Sequence, residues 1–404
     1  MRKRLRRPGA VATSTALATV AVSAMTATVF TPSPTAHATP MSDVMFVGNN
    51  WDGTVDLVDA RTFEKYQRID VAADFDERVL QMRIDQRIAM AVVRDSAGEG
   101  HDQLVDDIMV SPEGHTMYVS RPSLGDVAAY DIATGEQLWH RRVHGYRSDH
   151  MALSPDGSRL LVSATTADVL DVVDTATGEI VADVPTGDFP HENRYSADGG
   201  TIYNASIGNV IAPDAEILDG LKGDRELTII DAETYEVEKV IDFGVGIRPF
   251  VVLPDNRTMY AQLSFHNGLI EYDLEEQRRT RTVHLPLSEE AEKLKRSDYP
   301  LDSAHHGLAM NDDYTKICDA GTISDYAAIL SVPALTVDGI VPTGDKPYWA
   351  ASTPDGRYCF LSNSDSDDIS VVSYDNPREV ARIPVGDHPQ RVRAYTVPSE
   401  VLHR

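Results

Sequence analysis

From Asp149 to Gly199 the chain alternates short apolar runs with turns rich in Asp, Gly and Thr. An apolar run leads into Ser154-Pro155-Asp156-Gly157, then RLLVSA and VLDVVD follow, then a turn from Asp174 to Glu179 and the run EIVADV, before the next unit opens at Ser196 to Gly199. Each run has the length of an ordinary strand, and the intervening turn chemistry makes the unit a four-stranded antiparallel meander.

The rest of the chain repeats this unit. Its inner turns recur as SPEG at Ser111, SPDG at Ser154, SADG at Ser196, LPDN at Leu253, MNDD at Met310 and TPDG at Thr353. The outer turns DIATGE, DTATGE, DAETYE and DLEEQR begin at Asp131, Asp174, Asp231 and Asp273, a period of about 40 residues with one longer step. Four strands in such a period are what a propeller blade requires. Near the start, DVMFVGN, GTVDLVDARTFE and YQRIDV supply three strands without an innermost one, while His388 to Pro398 is a lone strand at the other end. The pattern therefore predicts an all-β, seven-bladed β-propeller whose C-terminal strand closes the first blade.

Three stretches break the period: Ala72 to Leu104, Ile207 to Arg225 and Leu285 to Ala304. The first contains FDERVLQMRIDQRIAMAVVRD, whose apolar spacing suits a helix, and the last contains SEEAEKLKRS, which reads as a short charged helix. Long insertions on the loops of a compact domain are candidate lids.

The segments SPDGSRLLVS, VVDTATGEIVADVPTGDFPH, STPDGRYCFLSN and IPVGDHP resemble the YVTN-type seven-bladed β-propellers, similar to the quinoprotein amine dehydrogenase β-chain-like group. The resemblance spans nearly all of the chain after residue 38 and implies the fold. Proteins with this repeat include sensors, metal-site proteins, lactonases, lyases and non-catalytic enzyme subunits, so function has to be argued from the site.

Residues 1–38 read as a secretory signal peptide, with basic MRKRLRR, a small and apolar stretch from Ala10 to Phe30, and Ala36-His37-Ala38 as a cleavage site. The propeller then occupies 39–404, and the expected location is secreted or extracytoplasmic, with no stable membrane insertion after cleavage. The formal net charge of −26 becomes more negative without this segment, whose charged residues are all basic. Such a surface repels phosphate backbones and anionic lipid, which argues against nucleic-acid binding. A CxxCH motif, a nucleophile elbow, a zinc-peptidase helix motif, a Walker loop and a dinucleotide fingerprint are all absent from the sequence, so covalent haem is excluded. With the turns aligned on Asn311 to Asp313 and on Pro354 to Gly356, Cys318 and Cys359 have the same facing parity on successive units. Adjacent blades meet through opposite faces, so the two thiols are expected to stay apart, reduced and buried.

Propellers gather the first residues of each innermost strand around one mouth of the central channel, where several elements converge. The residues five and four positions before each inner-turn Ser equivalent are Asp106-Asp107, Asp149-His150, His191-Glu192 and Arg248-Pro249, followed by His305-His306, Tyr348-Trp349 and Gln390-Arg391. The imidazoles His150, His191, His305 and His306 form a ligand set suited to a divalent metal such as zinc, copper or iron. The same groups suit acid/base work near neutral pH, with His150, His306 and Glu192 as catalytic candidates. Arg248 and Arg391 can hold an anionic small molecule, Tyr348 and Trp349 supply an aromatic wall, and Asp106 completes the substrate-binding candidates. Two readings stand. One is an extracytoplasmic lyase, hydrolase or oxidoreductase, or a metal-site protein, acting on a small anionic ligand; the other is a non-catalytic scaffold whose rim and insertions hold a protein partner.

Overall fold

The computed structural model describes residues 39–403, which fold into seven four-stranded sheets, six of them hydrogen-bonded in chain order from the channel outward. The blade that contains both ends of the described chain is blade 1; its innermost strand is Pro389–Pro398, followed outward by Met41–Asn49, Thr54–Asp59 and Lys65–Asp70. The innermost strands of blades 2 to 7 are Asp107–Val110, Ser148–Leu153, Pro190–Tyr195, Ile247–Val252, Leu308–Met310 and Pro347–Ser352. Ring closure is the antiparallel pairing of Met41–Asn49 with Pro389–Pro398, running from Met41 opposite Pro398 to Gly48 opposite Arg391. It leaves no open edge at the channel.

The strands alternate in the expected sense, with central strands buried on both faces because each blade packs between two neighbours. Val44, Phe46 and Leu57 of blade 1, for example, share one apolar cluster with Ile108, Val110, Met117 and Val119 of blade 2. The outermost strands, such as Gln137–Arg142, alternate with solvent instead.

Five inner turns carry one local bond that fixes their register. The first turn residue accepts a hydrogen bond from the backbone N–H five residues later, through Ser111, Ser154, Ser196 and Thr353 side-chain oxygens. In blade 6 the residue that does this is Asn311, whose Oδ1 accepts from the Lys316 N–H at 2.8 Å. The residue equivalent to Ser154 is therefore Asn311, one position later than the Met310 alignment. Glycine follows in the turn because the backbone there is left-handed, as at Gly157 (φ 74°) and Gly199 (φ 76°). A Cβ at Gly157 would lie 2.4 Å from Pro112, and one at Gly199 would lie 2.9 Å from Pro155, so each turn seats its glycine against the proline of the preceding blade.

The one-residue shift corrects the cysteine expectation. Cys318 lies seven residues after Asn311 and Cys359 six after Thr353, so their side chains leave opposite faces of their blades and meet in the shared interface. They form a disulfide, with Cα atoms 6.5 Å apart, between the second strands of blades 6 and 7.

The first insertion folds into two helices, α1 (Phe75–Gln81) and α2 (Ile84–Ser96). The break falls at Met82-Arg83, where the Arg83 N–H donates to the Gln86 side chain at 2.9 Å and begins the second helix. The second and third insertions carry only 3-10 segments, Glu216–Lys222, Ala291–Lys293, Arg296–Asp298 and Pro300–Asp302, so SEEAEKLKRS does not make an α-helix. Among the described residues no helix is long and apolar enough to cross a membrane. The segment read as a signal peptide lies outside the described residues.

Truncation after Asp387 removes the closing strand and exposes a channel-lining edge on Met41–Asn49. The truncated chain should fail to give a cooperative melt by circular dichroism; a melting curve like that of the full chain would refute strand closure. Replacing Cys318 and Cys359 together with Ala should cost stability by up to about 4 kcal/mol, the chain-entropy value for a loop of this length, read by denaturant titration.

Candidate functional site

Five of the seven innermost strands reach the channel through irregular backbone. Ladder pairing skips from Ser148 to Met151, from Pro190 to Asn193, from Ile247 to Phe250 and from Pro347 to Trp349, each time against too few partner residues. The closing strand has the same irregularity between Arg391 and Pro389. Blade 6 instead enters through His306-Gly307 ahead of its short strand. A bulge suspends strict alternation and re-aims the side chains it frees. Two successive residues from one strand can then serve the channel, as Asp149 and His150 do.

The register set by Asn311 brings Asp106, Asp149, His191, Arg248, His306, Tyr348 and Gln390 to the walls of one cavity of about 240 Å³. These are the residues five positions before each inner turn, and His150 lines the cavity from the next position. His305 does not reach it. Its Nδ1 faces the Asp319 carboxylate and its Nε2 lies 2.9 Å from Asn267 Oδ1, a buried structural pairing within and between blades. Trp349 and Arg391 sit deeper in the channel, with the Arg391 guanidinium 3.4 Å from the centre of the Trp349 ring. Glu192 is buried below the mouth and bonds His150 Nδ1 at 2.7 Å.

Three groups converge closely enough to hold one ion. Ligand atoms of Asp149, His150 and His191 lie within 4.8 Å of one another. The Glu192 carboxylate accepts a hydrogen bond from His150 Nδ1–H, which leaves Nε2 with its lone pair, 3.4 Å from Asp149 Oδ1 and 4.0 Å from Asp106 Oδ2. The His150 and His191 ring centres are 3.7 Å apart. His306 stands edge-on to His191 at 5.3 Å and donates Nδ1–H to the Tyr348 carbonyl at 3.0 Å, so its Nε2 is also a lone-pair atom. His191 Nδ1 and Asp106 Oδ2 are buried with no hydrogen-bond partner among the described residues. Unsatisfied buried acceptors of this kind fit a cation or a ligand.

The protonation states follow from burial and charge. Burial, reinforced for His150 by Arg391 and for His306 by His191 and Arg248, holds both imidazoles well below the usual histidine range. Burial lowers His191 to about 4 against the opposing pull of Asp149. Asp106 is pushed up by burial and by the Asp149 charge. Asp149 goes the other way: burial would raise it, but Arg147, His191 and His150 together hold it well below the carboxylate range. Burial thus favours the neutral forms of the imidazoles and of Asp106, while Arg147 favours the charged form of Asp149.

The roof is apolar and comes from the insertions. Ala89, Val92 and Val93 of α2, Val210 and Ile211 of the second insertion and Leu301 of the third all line the cavity. The Leu301 carbonyl accepts from Arg248, and Lys222 bridges Asp214 at 2.9 Å and Asp302 at 2.8 Å, which ties the second insertion to the third. Arg147, paired with Asp149, was not among the sequence candidates. It lies before its innermost strand, outside the two positions compared, and only the charge of its neighbour pointed to it.

No protein-family model matches the chain. It is 24% identical over 226 residues to Protein NirF of Pseudomonas aeruginosa, a match covering 55% of this chain and 48% of that protein. The chain thus matches about half the length of that curated relative. Among solved structures it is similar to Kuenenia stuttgartiensis hydrazine synthase, with a TM-score of 0.59 and 18% identity over 81% of this chain and 94% of that one. It is also similar to a putative 6-phosphogluconolactonase from Bacteroides fragilis, with a TM-score of 0.61 and 15% identity over 90% of this chain and all of that one. At these identities the structural likeness establishes the propeller fold.

The depressed imidazoles make stability depend on pH in a defined direction. Groups neutral in the fold but protonated when unfolded stabilise the protein fully above about pH 6.5, and that stability is lost as pH falls toward the folded value of about 4 for His191. Melting temperature should fall between pH 6.5 and 4.5, and His306→Asn should flatten that fall; a pH-independent melt over this window would contradict neutral burial.

Proposed function

We propose that the protein is an extracytoplasmic propeller that binds a divalent metal through His150, His191 and Asp149 and performs metal-assisted chemistry on a small anionic molecule beneath its apolar roof. The observation that carries this reading is the convergence of those three ligand atoms within 4.8 Å beside buried, unpartnered polar atoms. Two imidazoles and a carboxylate with open positions suit iron or zinc, and copper is also compatible with the imidazoles. Such an ion would act as a Lewis acid on a bound ligand. The chain's own residues would do the rest. Glu192 orients His150, Arg248 and Arg147 supply positive charge at the cavity wall, Asp106 offers a further carboxyl beside the ion, and the roof keeps water out. A cavity of about 240 Å³ is below the usual range of roughly 300–1,000 Å³ for ligand pockets, which favours a small ligand. The leader at 1–38 supports export.

A second reading, a non-catalytic propeller that docks a protein, is favoured by the exposed Leu80, Ile84, Ile88, Ile217 and Leu221 on the insertions. Metal analysis separates the two. The purified protein should take up one equivalent of zinc or iron(II), and His150→Ala with His191→Ala should abolish uptake with the fold retained. Glu192→Gln should weaken metal affinity by roughly 10- to 100-fold, as loss of an outer-shell partner does. His305→Asn should leave stoichiometry unchanged. No metal uptake by the wild type would leave the docking reading.

A further inference from the structure

The channel has a second chamber at its other end. Two positions before each inner turn, the innermost strands again face the axis, and there Val251, Ala309 and Ala351 are small or apolar while Arg194 and Arg393 are not. Small residues leave space, and the result is a chamber of about 460 Å³ into which both arginines face. Trp349 lines it and separates it from the histidine cluster, whose His150 ring centre lies 5.4 Å from the indole.

The two arginines are not equally neutralised. Arg393 makes a bidentate pair with Asp107, at 3.0 and 2.8 Å. Arg194 has a weaker claim on its partner, because Glu192 lies 3.2 Å away and spends its other oxygen on His150. The Arg194 Nε is buried with no hydrogen-bond partner among the described residues. Arg391 adds a third guanidinium behind the Trp349 ring. In a protein of formal net charge −26, the far end of the channel therefore gathers guanidinium charge among mixed walls, in which Asp312 is the acidic lining residue and Val251, Ala309 and Ala351 form the apolar part.

We propose that this chamber is a second binding site, for a carboxylate carried on a small apolar or aromatic body, with Arg194 as its main anchor and Arg393 beside it. A guanidinium matches a carboxylate bidentately, and Val251, Ala351 and the Trp349 ring would cover the apolar part. The site is also joined to the mouth. Glu192 forms an ion pair with Arg194 and a hydrogen bond with His150, so a carboxylate that takes over Arg194 leaves Glu192 to His150 alone. By linkage, metal at the mouth and carboxylate in the chamber then change each other's affinity by one common factor. This coupling rests on the metal reading; binding in the chamber does not.

The test uses metal-free full-length protein titrated with benzoate, and with acetate at matched ionic strength, followed by tryptophan fluorescence and calorimetry. Benzoate should bind saturably and at least threefold more tightly than acetate. Arg194→Met should weaken it at least tenfold, and so should Ala351→Phe, which fills the chamber and keeps both arginines in the chain. Arg248→Met, at the mouth, should leave it unchanged. Failure of benzoate to saturate, or equal affinity in Arg194→Met and Ala351→Phe that are folded by circular dichroism, would overturn the site. Sensitivity to Arg248→Met in place of Arg194→Met would move the ligand to the mouth and overturn it equally. Metal uptake is measured separately, so loss of one result does not imply loss of the other.

Discussion

Everything in the channel depends on the register of the innermost strands. A strand shifted by one residue turns every side chain to the other face, and here that would exchange a channel-facing group for an interface-facing one. The register is held by the bond from the first turn residue to the backbone N–H five residues on, repeated with Ser, Thr or Asn. Bulges then release two residues per strand toward the axis. A turn of ordinary chemistry thus decides which residues can share a ligand.

A ring of buried charges at the axis would be costly in an isolated sheet, because an unpaired charge in a low-dielectric site loses its hydration. The propeller bears it by separating tasks. Apolar interfaces between blades, such as the one shared by Phe46 and Val119, carry the burial that stabilises the ring. The axis needs only local compensation, which comes as Arg147 with Asp149, Arg393 with Asp107 and Glu192 with His150. Among the groups left unsatisfied, His191, Asp106 and Arg194 line the two cavities.

The fold was legible because strand period, turn chemistry and the lone C-terminal strand all point to the same ring. Within the site, the residues five positions before the turn were legible for the same reason. The exception was blade 6, whose turn has neither a Ser or Thr nor a Pro to align on. Aligning it on Met310 brought His305 forward as a ligand and set Cys318 and Cys359 to one parity, while Asn311, through its side-chain bond to Lys316, puts His306 at the mouth and the cysteines together. Asn can replace Ser in that bond because its amide oxygen is an equally good acceptor, so the signal was a side-chain chemistry and not a residue identity. Arg147, Val92, Ile211 and Leu301 were beyond reach, since insertions have no repeat to align them.

Repetition also explains how one mouth comes to hold unlike groups. Asp106 and Asp149 occupy the same position of adjacent blades and begin as chemical equals. Asp149 receives Arg147 and two imidazoles as neighbours, whereas Asp106 receives chiefly burial and the charge of Asp149 itself. Ionising one disfavours ionising the other, and the asymmetry of Arg147 decides which one keeps the charge. The two carboxyls are thereby shifted in opposite directions, as paired carboxyls in unlike surroundings generally are. The blade repeat supplies the pair, and a single arginine outside the repeat pattern makes its members different.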